Sequence, residues 1–238
     1  MHNQIMKSKT EQIVMKNALA RAQHELKLTE KRIIAIALSK INSKARKLDY
    51  KNKQPRTIKI SAKEYEKIAG RKNGRNAYRD IIEISETLIK KQLTIKSNTM
   101  TGTTKTVINW VAAVEYETGK GEVKITFTDT IMPYLCAIEN RFTAYALTEA
   151  EGIKSIYTWR MLEFLTSWSK EKEGHRKIAI KDFQEMMETP RSHKNADTIK
   201  RVIEPAITEL EKRGWTITYE KEKTGRKITH ITFIWSKP

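Results

Sequence analysis

Residues 177–235, KIAIKDFQEMMETPRSHKNADTIKRVIEPAITELEKRGWTITYEKEKTGRKITHITFIW, pass from a short strand (177–180) through a short helix (182–187) to a longer amphipathic helix (195–213). Two strands follow, 215–219 and 229–235, around the basic turn Thr224-Gly225-Arg226-Lys227. In the longer helix Ile199, Val202, Ile203, Ala206, Ile207 and Leu210 form the apolar stripe. Lys194, Thr198, Lys200 and Arg201 stand at its front end. Helix, helix, hairpin is the order of a winged helix, whose second helix enters the major groove while the hairpin reaches backbone or minor groove.

The same order occurs about 120 residues earlier: a strand at 57–60, helices at 62–69 and 76–93, and strands at 110–116 and 122–127 around Thr118-Gly119-Lys120-Gly121. Ile178 and Ile180 repeat Ile58 and Ile60 at an offset of 120. The chain is therefore expected to be an α+β protein of two tandem winged-helix domains of related fold, spanning 13–135 and 136–238. Each copy has a preceding helix. Ile33, Ile34, Ala37, Leu38 and Ile41 mark the first, with Thr29 as its N-cap, and Ile153, Ile156, Tyr157, Met161, Phe164, Leu165 and Trp168 mark the second, beginning near Glu151. Before them, Leu19, Ala22 and Leu26 form a further helical set, and residues 1–12 are polar and expected to fray.

Local signals refine this outline. Ser61 with Glu64 is a capping box for the 62–69 helix. Asn195 is placed to cap the long helix of the second copy, leaving free amides for a phosphate. Pro205 removes the amide that would bond the Arg201 carbonyl, so a bend or local loosening is expected there. The Thr-rich segment 94–106 has no counterpart in the second copy and reads as a loop or a poorly aligned strand.

Forty-six Lys and Arg against 28 Asp and Glu leave a net charge of +18, which favours a polyanionic partner. Residues 1–135 carry 27 basic and 13 acidic side chains, net +14; residues 136–238 carry 19 and 15, net +4. The basic run Lys44, Arg46, Lys47, Lys51, Lys53 and Arg56 reads as a solvated loop in which Lys51 and Lys53 would meet phosphate. In the wings, Lys120 and the set Lys221, Lys223, Arg226 and Lys227 suit phosphate contact, but Glu117, Glu122, Glu220 and Glu222 dilute the field. A hairpin of mixed charge also protects a sheet edge, so both readings of the wings stay open.

Nothing in the residues points to catalysis. His2, His24, His175, His193 and His230 form no metal-ligand pair, the single Cys136 reads as core, and no phosphate loop ends in Gly-Lys-Ser or Gly-Lys-Thr. No catalytic residue, metal or cofactor is expected. No apolar run reaches 18 residues, so a membrane partner lacks support and a cytoplasmic setting is expected.

Ordered phrases over 14–233 resemble a known family. They include Val14-Met15-Lys16-Asn17-Ala18-Leu19, Leu28-Thr29-Glu30-Lys31-Arg32-Ile33-Ile34, Ala77-Tyr78-Arg79-Asp80 and Trp110-Val111-Ala112-Ala113-Val114-Glu115-Tyr116. In the second half they are Phe142-Thr143-Ala144-Tyr145, Ser155-Ile156-Tyr157-Thr158-Trp159-Arg160-Met161-Leu162-Glu163, Arg201-Val202-Ile203-Glu204-Pro205-Ala206 and Gly225-Arg226-Lys227-Ile228-Thr229. Together they resemble the iteron-binding plasmid replication initiators of the Rep_3 type. Met15-Lys16-Asn17 stands where that family usually has Lys-Ser-Asn.

The resemblance implies two winged helices that bind direct repeats in a plasmid origin as a monomer. It further implies that the protein opens the adjacent duplex, recruits the host initiator and replicative helicase, and represses its own gene as a dimer on an inverted repeat, in a bacterial cytoplasm. By position, the resemblance places 71–79 and 194–204 on DNA; with the wings added, the DNA-facing residues would be Arg71, Lys72, Arg75, Asn76, Arg79 and Lys120 in the first domain. In the second they would be Arg191, Ser192, His193, Lys194, Asn195, Thr198, Lys200, Arg201, Arg226 and Lys227. A duplicated winged-helix repressor without initiator activity shares every one of these physical features, and a protein-interaction module would keep the fold without specific DNA binding.

Overall fold

The computed structural model describes residues 11–43, 56–71, 76–117, 119–169 and 172–238. In chain order its elements are β1 (Gln12–Lys16), α1 (Asn17–Ala20), α2 (Leu28–Ser39), β2 (Thr57–Ser61), α3 (Ala62–Ile68), α4 (Ala77–Leu88), β3 (Gln92–Thr99), β4 (Gly102–Asn109), β5 (Val111–Tyr116) and β6 (Glu122–Phe127). β7 (Phe142–Ala146), α5 (Ile156–Trp168), β8 (Glu173–Ala179) and α6 (Ile180–Met187) follow. A long helix comes next in three pieces, α7 (Asn195–Thr198), a π turn (Ile199–Ile203) and α8 (Glu204–Glu211), and then β9 (Thr216–Thr224) and β10 (Lys227–Ser236).

The chain is two tandem α+β winged-helix units. In both, the strand before the paired helices returns to the hairpin: β2-β6-β5 and β8-β10-β9 are antiparallel sheets of identical connectivity. Alternation explains the register. Ile58 and Ile60 face Ile125 and Val123 across β2 and β6 and are buried, while the paired Lys59 and Lys124 face out. In the second sheet Ile231, Phe233 and Trp235 point inward, and Phe233 meets Phe164 and Phe183 at 5.7 and 5.5 Å. The Trp235 indole lies so close over Gly174 that a Cβ there would overlap the ring.

Several expectations are corrected. Ahead of the helical set expected at Leu19, Ala22 and Leu26, residues 12–16 form a strand, because Ile13 and Met15 alternate into the core while β1 pairs with β7 about 130 residues away. Leu19 belongs to a single turn, whereas Ala22 and Leu26 lie in irregular chain. Segment 94–106 falls within a regular hairpin, β3–β4, since Leu93, Ile95 and Ile108 bury one face at its base and the threonines favour extended backbone. Thr29 does not cap α2. The helix starts at Leu28, and Glu30 Oε2 accepts the Lys27 N–H at 2.7 Å. α5 begins at Ile156 rather than near Glu151, with the Ser155 hydroxyl accepting the Tyr157 N–H at 3.1 Å. Gly152 sits in the preceding turn at φ +71°, against Gly70 of the first unit. The Ser61–Glu64 capping box is present, with Ser61 N–H donating to Glu64 at 2.8 Å. Cys136 is buried, and burial raises its thiol to about 11. Lys44, Arg46, Lys47, Lys51 and Lys53 lie outside the described residues; Arg56 pairs with Asp129 at 2.9 Å. Among the described residues no helix is long and apolar enough to cross a membrane.

One continuous core joins the two units, and a buried polar cluster links α2, which packs on the first helix pair, to α5, which packs on the long helix of the second. Lys31 on α2 reaches Glu163 on α5 at 2.6 Å, and Arg160 stands 3.9 Å from the other Glu163 oxygen. Tyr145 donates to Glu163 at 2.9 Å and accepts from the Trp159 indole at 2.9 Å. Arg160 donates to the carbonyls of Ala22 and Met186, one in each unit. Glu188, at φ +54° just past α6, accepts the backbone N–H groups of His24 and Glu25 at 2.8 Å each. The His24 ring, edge-on to Trp110, donates from Nε2 to the Leu19 carbonyl at 2.7 Å. Its Nδ1 therefore carries a lone pair facing Arg160 at 2.9 Å and Lys31 at 3.4 Å.

Burial, then Arg160 and Lys31, hold His24 well below its usual 6.5. The unfolded chain thus takes up a proton near 6.5 that the folded chain refuses. The stabilisation is present above that pH and is lost as pH falls below it. The melting temperature is expected to drop between about pH 7.5 and about pH 5.5, and His24→Gln, which retains a donor and an acceptor, is expected to flatten that dependence. An unchanged slope in the variant would assign the pH effect to other groups.

Candidate nucleic-acid interface

In the second unit the two helices are locked by a side-chain bond. Gln184 Nε2 on α6 donates to Thr198 Oγ1 at 2.7 Å, and that hydroxyl donates to the Lys194 carbonyl at 3.3 Å. Thr198 is consequently fully buried. It belongs to the hinge between the helices and not to the exposed front. Asn195 does not cap the helix either. Its Nδ2 donates to the Ile228 carbonyl at 2.7 Å and fastens the helix start to β10, while Asp197 accepts the Lys194 N–H at 3.1 Å. The helix end that would have offered free amides to a phosphate already holds a carboxylate.

Around this anchored start, Arg191, Ser192, Lys194, Lys200 and Arg201 are exposed and His193 is half-buried. Arg201 lies 3.6 Å from Asp197, an exposed i,i+4 pair of small energetic weight. The wing turns at Gly225, φ +59°, with Arg226 and Lys227 exposed beside it. Tyr219 at the wing base donates to Glu204 at 2.9 Å, and burial with that carboxylate pushes the phenol up to about 12.

The buried positions of the long helix, Thr198 and Ile199, Val202 and Ile203, Ala206 and Ile207, then Leu210, recur every four residues. An α-helix advances about 100° per residue, so a four-residue repeat drifts about 40° per turn and about 120° over three. The π turn takes up this drift: the Glu204 N–H bonds the Ile199 carbonyl and one extra residue is absorbed. Pro205 lies just beyond, where it has no N–H to give to Arg201. The loosening expected at the proline is this π turn.

The first unit presents its basic residues differently. Arg71 is 3.3 Å from Asp80, Arg79 is 3.7 Å from Glu83, and Lys120 is 2.6 Å from Glu117. Asn76 is exposed at the start of α4 and makes no side-chain cap bond. Lys72 and Arg75 lie outside the described residues. Tyr78 Oη donates to the Glu117 carbonyl at 2.6 Å, tying α4 to its wing much as Asn195 ties its helix to β10.

Gln184 has no signal in the sequence beyond a polar side chain on the inner side of α6. A groove of about 1380 Å³ also lies between the units, bordered by Lys16, Arg21, Lys96, Arg141, Asp182 and Glu185. There Arg21 and Arg176 both stack on Trp168, at 3.4 and 3.6 Å from its ring centre, and burial with the nearby Arg176 lowers Arg21 to about 10. Residues so far apart in sequence leave no spacing signal.

The sequence profile described as Initiator Replication protein, WH1 matches residues 12–166, and that described as Initiator Rep protein, WH2 matches residues 179–235. The PI protein of Escherichia coli is 24% identical over 264 aligned residues, covering 95% of this chain and 83% of that protein. The crystal structure of Pi initiator protein in complex with iteron DNA has the same fold, with a TM-score of 0.76 at 21% identity over 97% of this chain and 98% of that one.

These placements separate three kinds of variant. Thr198→Val is expected to cost about 1–2 kcal/mol of stability by stranding Gln184, with no change in the salt dependence of DNA affinity. Lys200→Ala is expected to keep the melting temperature and reduce the salt slope by about 1. Arg201→Ala is expected to remove about 1–3 kcal/mol of preference for a selected duplex over a scrambled one. Thermal melts and titrations at several salt concentrations check all three; equal losses on both duplexes would deny Arg201 a reading role.

Proposed function

Because the chain belongs to the initiator Rep protein family, with both of its winged-helix units, we propose that it starts plasmid replication by binding direct repeats, or iterons, in the origin. As a bound monomer it opens the adjacent duplex and recruits the host initiator and the replicative helicase. As a dimer it binds an inverted repeat at its own promoter and represses its gene. The observation that carries this reading is the duplication itself: two helix pairs of one topology, each followed by a wing, are held by one continuous core. A net charge of +18 supports a duplex as the partner. The groove-facing set proposed for the second unit is Arg191, Ser192, Lys194, Lys200, Arg201, Arg226 and Lys227, with Asn195 holding the helix in place. For the first unit it is Arg71, Lys72, Arg75, Asn76, Arg79 and Lys120.

Footprinting on origin DNA is expected to show protection on one face over two successive major grooves, about 34–36 Å apart. Protection under one helical turn would reject two-headed binding. Permanganate reactivity of thymines beside the repeats, appearing only with protein, tests origin opening. Tight repeat binding without such reactivity would favour a repressor that does not initiate. Ultracentrifugation is expected to find one chain on a single direct repeat and two on an inverted repeat.

A further inference from the structure

The groups that cross the junction between the units are charged and buried, and they are directional. Lys31 and Glu163 are 1% and 0% exposed and meet at 2.6 Å, so neither retains water as an alternative partner. Arg160, 2% exposed, spans both units through the Ala22 and Met186 carbonyls, and Glu188 holds two consecutive N–H groups of the first unit. An apolar junction tolerates sliding; a set of buried ions does not, because a shift of about 1–2 Å leaves a charge unpaired in a low-dielectric setting. The flanking contacts are also specific. Arg32 donates to the Ile153 carbonyl at 2.8 Å, the Gly152 N–H reaches the Ile68 carbonyl at 3.0 Å, and Gly70 and Gly152 approach backbone to backbone.

We propose that Glu163, acting through Lys31 and Arg160, fixes the distance and rotation between the two DNA-reading helices, so that the protein selects the spacing between two half-sites as well as their sequences. Glu163, Lys31, Arg160 and Glu188 are positioning residues and touch no DNA. α5 carries Glu163 and packs on α8 and the π turn of the reading helix. α2 carries Lys31 and packs on α3 and α4, the helix pair of the first unit. The ion pair therefore joins the two helices on which the reading helices rest. One inserted base pair rotates one half-site by about 35° against the other. A rigid junction cannot follow that rotation, whereas a loosened one can. This inference rests on the two-headed DNA reading above.

The test uses a duplex selected by the full-length protein from a randomised library, and the same duplex with one base pair inserted midway between the two protected grooves. The wild-type protein is expected to bind the lengthened duplex at least about 30-fold more weakly. Lys31→Met/Glu163→Gln removes the pair without stranding either charge, and Arg160 keeps Glu188 nearby. This variant is expected to bind the original duplex up to about tenfold more weakly while its penalty for the inserted base pair falls below about threefold. Glu188→Ala, a change at a half-buried site suited to a folded variant, is expected to relax the penalty about threefold.

A folded double variant that keeps the wild-type spacing penalty overturns the proposal. If that variant does not fold, an unchanged penalty in Glu188→Ala overturns it, and a relaxed one supports it. A wild-type protein indifferent to the insertion, or one that protects a single groove, would instead sink the two-headed reading itself.

Discussion

Each unit is closed by the pairing of the strand before its two helices with the last strand of its hairpin, β2 with β6 and β8 with β10. Without that pairing, a helix pair and a hairpin would be joined only by chain, and a two-stranded ribbon alone is marginal in water. With it, Ser61 lies opposite Glu122 and Ala179 opposite His230, so each helix pair begins on its own sheet. The secondary fastenings then make sense. Tyr78 reaches the first wing and Asn195 the second, in each case from the second helix of the pair to the hairpin beside it.

The junction between units follows a different physics. Lys31, Arg160, Glu163 and Glu188 sum to zero charge, and the cluster stays balanced because burial, with the two facing cations, keeps His24 neutral. Buried ions of this kind add little net stability over apolar packing. They do penalise every docking that separates them, which favours one arrangement of two similar units over the alternatives. The pairing of β1 with β7 reinforces it, since residues 12–16 are held by a strand that lies after the first helix pair and its wing.

Charge at the surface is distributed less simply than composition implies. Residues 1–135 hold most of the net positive charge, yet Arg71, Arg79 and Lys120 each lie near a carboxylate. In the less basic second half, Lys194, Lys200, Arg226 and Lys227 extend from a helix and wing held by Gln184, Thr198 and Asn195. Net charge sets long-range attraction, whereas local pairing and anchoring set which side chains can be held against a groove.

What was legible in the sequence was whatever repeats locally. Period-two alternation at Ile58, Ile60, Val123, Ile125 and Phe127, helical periodicity at Ala77, Ile81, Ser85 and Leu88, the Ser61–Glu64 cap and the 120-residue offset specified two winged helices in order. Pro205 announced the disturbance of the long helix, and the four-residue repeat of its buried positions was present in the sequence as well. Tertiary structure alone decided which of several equivalent polar residues took each partner. Asp197 rather than Asn195 closed the helix start, Glu30 rather than Thr29 closed α2, and Thr198 turned inward to Gln184. It also decided the ion cluster at the junction, whose members come from 24 to 188 in the chain. The reason is physical: backbone periodicity is set by neighbours a few residues away, whereas a buried charge is set by whichever opposite charge the fold brings within about 4 Å.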